Sequence, residues 1–494
     1  MIKTNLIANF SGGVWTSILS ILFIPFYIKL LGMESYGLIG IYGSFIGIFG
    51  ILDMGLSSTL NRKIASTISF KEKNHELRDF VRTVEIIFWS IGILLALIIF
   101  VLSTPITNNW LNFNQLDSLT VKRSIFLMGF IIAAEWPMRC YYGGLRGLQK
   151  QLPLNIIKIF IVTIQNVGAL LLLIFYSSTI ETFFIWQASI SLLHTIIVGK
   201  FLWINIPKDI NPPKFNLNVL KSEIQFTKGL FGISLISLLM SQSDKIILSK
   251  MLDLKVFAYY IFALNITQLI FVIAGPFYTT LFPKFCELVS LKKEHLLSDL
   301  YHKGSQFLSV LIFPIAMILI FYSREIIIIW SGDYELANNT MTLISIACIG
   351  FTINGLMQIP YALQLSNGWT KLSLLADSIG LAIFIPLMIT LIYNYNAIGA
   401  IMAKAIIFLL NSVFVIHFMH KKLLINEKYQ WVLYDIIFPL LISFLIVLIA
   451  KVFQPNITSN ITMLLFLISV YIFTMTVAVL MTRHPKNYFI NSLK

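Results

Sequence analysis

The sequence predicts an all-α polytopic membrane protein with about fourteen transmembrane helices. Its residues are 57% hydrophobic and only 12% charged, and the mean hydropathy is +0.85. Soluble domains carry about 25% charged residues, so the composition excludes that class. Apolar runs of about 20 residues recur along the whole chain, which is the length a helix needs to cross a bilayer. The spans must be helical because each unpaired backbone group in lipid costs several kcal/mol.

Hydropathy places the candidate spans, and each can cover about 30 Å of hydrocarbon at about 1.5 Å per residue. They are residues 10–31, 36–60, 84–104, 122–142, 154–176, 182–203, 228–250, 256–283, 306–330, 340–364, 372–393, 397–418, 433–453 and 461–482. No small-residue cleavage site follows the first apolar run, so we expect an uncleaved signal anchor there.

The basic residues of the loops predict the orientation. If the N-terminus faces the cytoplasm, the inside loops and termini hold 23 of the 36 Lys and Arg residues, and the outside loops hold only Lys255. This asymmetry follows the positive-inside rule. We therefore expect both termini in the cytoplasm. The net charge of +14 is then a consequence of topology, and nucleic acid is not an expected partner.

A break between two halves follows the sixth span, where Pro207, Pro212 and Pro213 interrupt the chain. Span edges in the second half repeat those of the first after a shift of 221 residues, which aligns Lys29 with Lys250. We predict one six-helix bundle over residues 1–205, a second over 206–425, and two further helices with a cytoplasmic tail over 426–494. Paired bundles of this kind are common in secondary transporters.

No cofactor or metal is expected. The three cysteines, Cys140, Cys286 and Cys348, lie in or beside apolar spans, which gives neither a disulfide framework nor metal-ligand spacing. A phosphate-binding Gly-x-x-x-x-Gly-Lys-[Ser/Thr] loop is absent from the sequence. The longest loops have about 20 residues, too few for a soluble catalytic domain.

Ionisable residues inside spans are the informative positions, because each costs about 2.5–3.5 kcal/mol at a helix centre. Arg139 lies one turn from the cytoplasmic mouth of span 4 and can present its planar guanidinium to a phosphate. It could instead pair with Glu135, four residues earlier on the same helix face. Lys158 is close enough to the cytoplasmic surface to extend its side chain there. Lys404 lies about 11 Å into span 12, which favours a lumen-facing role.

Three further acids lie within spans. Asp53 either caps or kinks a helix beside Gly55, or it lines a water-filled cavity. Asp244 belongs to the segment SLLMSQSDKIILSK, residues 237–250, where neighbouring serines and Gln242 make a polar stripe that must face a protein interior. Asp377 lies near the cytoplasmic end of span 11, where pairing with Lys404 is one alternative.

Six stretches of the sequence carry a family resemblance. They are NFSGGVWTSILSILFIPFYIKLLGMESYGLIGIYGSFIGIFGILDMGLSSTLNRKIA, EWPMRCYYGGLRGLQKQ, SQSDKIILSKMLDLKVFAYY, PFYTTLFPKF, NGLMQIPYALQLSNGWTKL and AIGAIMAKAI. These stretches resemble the polysaccharide (O-antigen) flippases of the multidrug/oligosaccharidyl-lipid/polysaccharide exporter superfamily, and the resemblance covers spans 1 to 12.

The resemblance implies a multi-pass flippase of the bacterial inner membrane, with the lipid bilayer and an undecaprenyl-diphosphate-linked glycan as partners. It implies alternating access, coupling to an ion gradient, and other polysaccharide assembly proteins as further candidate partners. On this basis we expect Arg139, Lys158 and Lys404 to bind substrate. The candidates for ion coupling or for lining the lumen are Asp53, Glu135, Asp244 and Asp377.

Three alternatives remain open. A multidrug cation exporter of the same superfamily would prefer an acidic, aromatic pocket. A flippase for a lipid-linked peptidoglycan precursor would be essential for growth. A membrane glycan polymerase or ligase would need a large outer loop with catalytic Arg or His, whereas the predicted outer loops are short and nearly uncharged.

Overall fold

The structure, a computed structural model, describes residues 2–53, 55–67, 74–209, 211–216, 224–455 and 459–492. These residues form helices joined by short turns, without a β-strand among them. They divide into two compact units, Met1–Ala258 and Tyr259–Lys494. The helical membrane fold predicted from the sequence is therefore confirmed, whereas the division at residues 205 and 425 remains a prediction.

The first unit contains nine helices and the start of a tenth. They are α1 (Ile2–Leu22), α2 (Ile24–Leu31), α3 (Met33–Phe49), α4 (Leu56–Thr67), α5 (Asn74–Pro105), α6 (Ser118–Gly147), α7 (Gln151–Phe175), α8 (Ile180–Asn205), α9 (Ile224–Met251) and α10 (Leu254–Thr267). A 3₁₀ turn, Gly50–Asp53, lies between α3 and α4. Helix α6 begins at an Asp117 cap, and the hydrogen bonds from Thr120 hold the pKa of that carboxyl below its usual value.

The second unit contains the remaining helices. They are α11 (Leu269–Ser290), α12 (Glu294–Ser331), α13 (Tyr334–Leu356), α14 (Gln358–Ser366), α15 (Thr370–Lys422), α16 (Phe438–Val452), α17 (Asn460–Met481) and α18 (Arg483–Ser492). A short turn, Lys428–Gln430, and a π-helical segment, Trp431–Ile437, precede α16. Helix α12 packs against α13, α16 and α17, so it is the central helix of this unit.

Ten helical stretches within the described residues are long and apolar enough to cross a membrane. The described residues of all fourteen predicted spans are mostly helical, but the spans do not match these ten stretches one for one. The second predicted span is broken by the turn Gly50–Asp53, and the eleventh and twelfth lie in the single 53-residue stretch α15. The number fourteen therefore stays a prediction, while the location of helices along the chain agrees with the sequence.

Loops that the sequence assigns to one side of the membrane meet each other. On the predicted outer side of the first unit, Glu34 accepts hydrogen bonds from the backbone N–H groups of residues 114–116 at 2.8–3.0 Å. The Leu254 N–H donates to the Asn112 carbonyl at 2.7 Å. On the predicted inner side, the Lys214 N–H donates to Asp79 at 2.7 Å. This grouping is what alternating spans require.

Helix α15 is a hairpin of two arms joined at one residue. Asn396 has φ +51° and ψ −135°, outside helical values, and the chain folds back there. The fold-back brings Gly380 of the first arm beside the Asn411 amide of the second. The connection between predicted spans 11 and 12 is therefore a single-residue turn.

Helices α4 and α6 approach closely because α6 presents two glycines spaced four residues apart. A Cβ on Gly143 would overlap the Ser57 carbonyl oxygen, and a Cβ on Gly147 would lie 2.7 Å from the Asn61 carbonyl oxygen. Small residues at this spacing let two helix backbones pack directly in a membrane. This contact fixes α6 against α4. Helix α6 carries several of the candidate functional residues, and α4 directly follows the turn after α3.

Candidate functional site

Helix α6 places Arg139 inside the first unit. Its guanidinium carbon lies 4.8 Å from the centre of the Trp136 ring, and its nitrogens lie beside Gly50. The indole face stabilises the cation, as cation–π contacts do, without neutralising its charge. Arg139 is partly buried and faces the turn Gly50–Asp53.

Glu135 does not form the ion pair with Arg139 that its spacing allows. Its carboxylate instead accepts a hydrogen bond from Ser191 on α8 at 2.8 Å, and Tyr42 on α3 lies within electrostatic range of it. Arg139 forms no ion pair within the described part of the chain, although Glu135 lies within electrostatic range of it. The guanidinium donors of Arg139 are thus not held by a carboxylate.

Two further cations lie near the inner end of α6. Lys158, in the second turn of α7, is partly buried and lies within electrostatic range of Arg146 and His194. The Tyr142 hydroxyl and the His194 Nε2 atom are 3.1 Å apart. Neither Lys158 nor Arg146 forms an ion pair with any acid in the described ranges, so positive charges accumulate here without compensation.

We call Arg139, Arg146 and Lys158 the cationic group. The two arginines are seven residues apart on α6, so they share one helix face and lie about 10 Å apart along it. Arg146 was missed because it falls beyond predicted span 4 and was counted as a loop residue. The seven-residue spacing was the signal that could have found it. Planar guanidinium groups bind phosphate oxygens in pairs, and a lysine adds a point charge.

Asp53 caps helix α4, which is one of the two alternatives that the sequence left open for it. Its carboxylate accepts from the Ser57 N–H at 3.0 Å and from the Ser57 hydroxyl at 2.6 Å. Such bonds satisfy the free N–H groups at the start of α4. Asp53 therefore stabilises the broken helix beside Arg139, and both of its carboxylate oxygens are engaged.

Asp244 is 0% exposed on α9, and its neighbour Ser243 is also buried, whereas Ser241 is exposed. The Gln242 amide packs directly on Gly47 of α3, where a Cβ would lie only 2.5 Å away. Asp244, Ser243 and the Gln242 amide thus face protein, whereas Ser241 does not. The Gln242 contact joins α9 to α3, which also carries Tyr42.

Lys404 and Asp377 belong to the second unit, on opposite arms of α15. Lys404 is 9% exposed, and Asp377 is partly buried. Asp377 lies 19 residues before Asn396 and Lys404 lies 8 residues after it, which puts them about 16 Å apart in height along the hairpin. That separation rules out the pairing between them that the sequence left open. Asp377 makes neither a hydrogen bond nor an ion pair with the residues described.

Sequence reasoning also missed Glu85, a buried acid near the inner end of α5. It accepts hydrogen bonds from the Tyr141 hydroxyl at 2.7 Å and from the Trp203 indole at 3.0 Å. The Arg82 guanidinium donates to it at 2.7 Å and lies over the Trp203 ring. Glu85 lies in the first turn of its predicted span. An acid at the edge of a span is common, so no sequence pattern singles it out. Its three partners show that it ties α5 to α6 and α8.

The fold matches known membrane transporters. A solved structure of the lipid II flippase MurJ in an inward closed conformation superposes with a TM-score of 0.70 at 16% identity, over 97% of this chain and 98% of that one. An inward-facing multidrug resistance MATE transporter of the MOP superfamily superposes with a TM-score of 0.62 at 12% identity, over 84% and 96% of the two chains. At these identities the likeness concerns the fold, which is that of a multi-pass membrane transporter.

The sequence places the chain within a family. The polysaccharide biosynthesis protein family model matches residues 28–334, more than half of the chain, so the protein belongs to that family. A Shigella flexneri protein with the provisional name O-antigen transporter is 22% identical over 83% of this chain and 95% of its own length. A Yersinia pseudotuberculosis protein, provisionally named O-antigen export protein, is 33% identical over 24% of this chain and 29% of its own.

Proposed function

We propose that this protein is a flippase for undecaprenyl-diphosphate-linked oligosaccharide repeat units of the O-antigen or capsule type. It moves them across the bacterial inner membrane by alternating access. The observation that carries the proposal is the cationic group, whose three side chains form no ion pair with an acid among the described residues of the first unit, although Glu135 lies within electrostatic range of Arg139. The family membership and the provisional names of the relatives support the same substrate class.

The cationic group suits a lipid diphosphate. The diphosphate and the glycan cannot cross hydrocarbon unaided, while the polyprenyl chain can remain in the bilayer. Arg139 and Arg146 offer two planar donors on one face of α6, and Lys158 adds a third charge from α7. Lys404 is proposed as a further cation for the diphosphate or for an acidic sugar.

Ion coupling is assigned to the interior acids. Asp377 and Glu135 are the main candidates, Asp244 is a buried third, and Asp53 supports the site by holding α4. One elementary charge moved through the membrane potential is worth about 2.3 kcal/mol per 100 mV, so a single coupled cation supplies a useful bias toward export.

The rival functions differ in the binding-site charge that their substrates need and in the phenotype that each predicts. The cationic substrate of a multidrug exporter would be repelled by the three positive side chains of the cationic group. Such an exporter should also raise drug resistance when it is overexpressed. A peptidoglycan-precursor flippase would share the diphosphate site, but its depletion would be lethal. A glycan polymerase would leave single repeat units on the outer leaflet when deleted.

The first test replaces the cations singly and together. Arg139→Gln, Lys158→Gln and the double variant are expressed in a deletion strain, and surface polysaccharide is measured alongside the protein content of the membrane. A hydrogen bond to a charged group contributes about 1.5–3 kcal/mol, so each single variant should lower export about tenfold or more. Lys122→Gln is the matched control, because Lys122 is exposed at the opposite end of α6 and should export normally.

The second test locates the lipid-linked intermediate. In the deletion strain, single repeat units should accumulate where a membrane-impermeant glycosidase applied from outside cannot reach them. Full export by both single variants and the double variant would contradict the diphosphate site. Single units that are accessible from outside would overturn the flippase and favour the polymerase.

A further inference from the structure

A buried cluster in the second unit lies outside the proposed translocation site. His302 on α12 is 2% exposed, and both of its ring nitrogens meet carboxylates. Nδ1 lies 2.5 Å from Asp435 Oδ2, and Nε2 lies 3.3 Å from Glu427 Oε2. Gln306, one turn along α12, donates to the other Asp435 oxygen at 2.8 Å. We call these four residues the His302 cluster.

A neutral imidazole cannot satisfy this geometry. It has one N–H donor and one nitrogen lone pair, whereas an ionised carboxylate only accepts. With the hydrogen on Nδ1, the Nε2 lone pair would face Glu427. With the hydrogen on Nε2, the Nδ1 lone pair would face Asp435 at 2.5 Å. Two acceptors would repel each other in either case. The cluster therefore needs one proton more than a neutral histidine and two carboxylates supply.

The neighbouring charged groups do not replace that proton. His420 on α15 faces Tyr301 at 3.3 Å, and its Nδ1 meets the Ile416 carbonyl. His484 on α18 offers its backbone N–H to Gln306, and burial lowers the pKa of its ring, which favours the neutral form. The other charged groups within electrostatic range of these residues are Asp299, Lys428 and Arg483.

The cluster joins elements that are otherwise separate in sequence. His302 and Gln306 lie on α12, Glu427 lies in the turn after α15, and Asp435 lies in the π-helical segment Trp431–Ile437. Ser298 donates to the second Glu427 oxygen at 3.0 Å. Helices α16 and α17, the pair appended after the two predicted bundles, are thus fastened to α12 at their inner end. Asp435 is 0% exposed and Glu427 is partly exposed, so the cluster opens to water on one side.

We propose that the His302 cluster is a proton-binding site that holds the appended helices to α12. The proton enters by way of Glu427 and is shared by His302 with Asp435. In the protonated form, one cation lies between two carboxylates. Loss of the proton leaves a neutral ring between two carboxylates, one of which then faces a nitrogen lone pair, and this weakens the contact with the π-helical segment. Segments with π geometry are uncommon and frequently occur at functional sites.

The direct test is nuclear magnetic resonance on the full-length protein in lipid nanodiscs. Histidine is labelled with ¹⁵N, and Asp and Glu carboxyls are labelled with ¹³C. His302→Gln assigns the His302 signals among the seven histidines. At pH 7 both His302 nitrogens should carry hydrogen, or one of the two carboxyls should be protonated. A neutral His302 ring beside two ionised carboxylates would overturn the proposal.

Two variants separate proton binding from simple packing. Glu427→Gln keeps the shape of a partly exposed side chain and removes one negative charge beside His302. The pH at which the cluster loses its proton should therefore fall by about one unit. His417→Gln is the control, because His417 is exposed, lies 3.3 Å from Lys428 and has no carboxylate contact among the described residues. It should leave the His302 signals unchanged. An unchanged titration in Glu427→Gln would contradict the site.

Hydrogen–deuterium exchange measures the mechanical consequence. In wild-type protein, amides of residues 431–437 should exchange faster above the pH at which the proton is lost, beyond the intrinsic effect of pH. Glu427→Gln should show this at lower pH, and His417→Gln should follow wild type. Exchange that tracks only the intrinsic rate in all three proteins would show that the proton does not hold this segment.

Discussion

A single carboxylate organises the predicted outer side of the first unit. Glu34, in the first turn of α3, is 2% exposed and accepts three backbone hydrogen bonds from the loop before α6. An ionised carboxylate bonded to several N–H groups is stable in protein because each bond is charge-assisted. Three successive N–H groups of the loop thus bond to one side chain, which holds the loop in this conformation.

Glu34→Ala should loosen this loop. Three N–H groups would lose their charged acceptor, and a hydrogen bond to a charged group contributes about 1.5–3 kcal/mol. We expect limited proteolysis within residues 111–117, on protein in detergent, to accelerate more than tenfold. The control is Glu181→Ala, which removes an acid from the first turn of α8 that has no hydrogen-bonded side-chain partner among the residues described. Both variants lose the same helix-dipole contribution. Equal cleavage of the two would contradict the role of Glu34.

At the residue scale, sequence reasoning located charges better than it located their partners. The cost of a charge in lipid predicted that Asp244 faces the bundle interior or a cavity and that Lys404 faces the lumen. Both residues are buried, and the lumen-facing role of Lys404 stays a prediction. Arg146, Glu34 and Glu85 were missed because each stands at a span edge, where a charge carries no penalty. The importance of Glu34 and Glu85 lies in contacts with residues more than 50 positions away, which no local pattern encodes.

At the scale of elements, the contact between α4 and α6 depends on the absence of side chains. Gly143 and Gly147 leave room for the α4 backbone at Ser57 and Asn61. Helices in lipid gain no hydrophobic free energy by meeting each other, so close van der Waals packing decides which of them associate. This contact also fixes the height of Arg139 relative to the turn after α3.

Gly143→Ala should lower the free energy of unfolding by about 1–3 kcal/mol, because a methyl group would be forced against the Ser57 carbonyl. Unfolding in mixed micelles would measure the change. Gly43→Ala is the matched control. Gly43 is also helical, but a Cβ there meets nothing within 4 Å. Alanine is the better helix former by about 1 kcal/mol, so this variant should be neutral or stabilised. Equal stability of the two variants would refute the packing argument.

Span prediction succeeded wherever a helix is continuous and failed where a helix is interrupted for a reason outside the local sequence. Predicted span 2 is mostly apolar, yet it breaks at Gly50–Asp53, where Asp53 caps the next helix and Arg139 lies alongside. The average hydropathy of the segment is the same whether or not it breaks. The capping residue Asp53 indicated a possible break, and the contact with Arg139 on α6 is the part that the local sequence does not show.

At the scale of the whole molecule, the loop contacts predict a topology. Within each unit, hydrogen bonds join loops that alternating spans place on one side. In the second unit, Tyr259 donates to Glu335 at one end, and Ser298 donates to Glu427 at the other. These contacts follow the same alternation as the basic residues of the loops. Two independent features thus support an even number of spans.

Reporter fusions would test that topology. Alkaline phosphatase, which is active only outside the cytoplasm, should be active when fused after Gln115 and inactive after Lys293. Green fluorescent protein fused after Lys494 should fluoresce, because the C-terminus is expected in the cytoplasm. The reciprocal reporter at each position is the control. Active phosphatase at the C-terminus would require an odd number of spans and would overturn the count of fourteen.

The two arms of α15 are joined by the single-residue turn at Asn396, with no flexible loop between them. An ordinary loop would let neighbouring spans slide or tilt independently. Here a displacement of the arm that carries Asp377 must pass through one backbone joint to the arm that carries Lys404. Asn396 therefore acts as the hinge between the two arms, and Asp377 lies farther from this hinge than Lys404 does. A small change of angle at the joint would move Asp377, the more distant point, more than twice as far as Lys404.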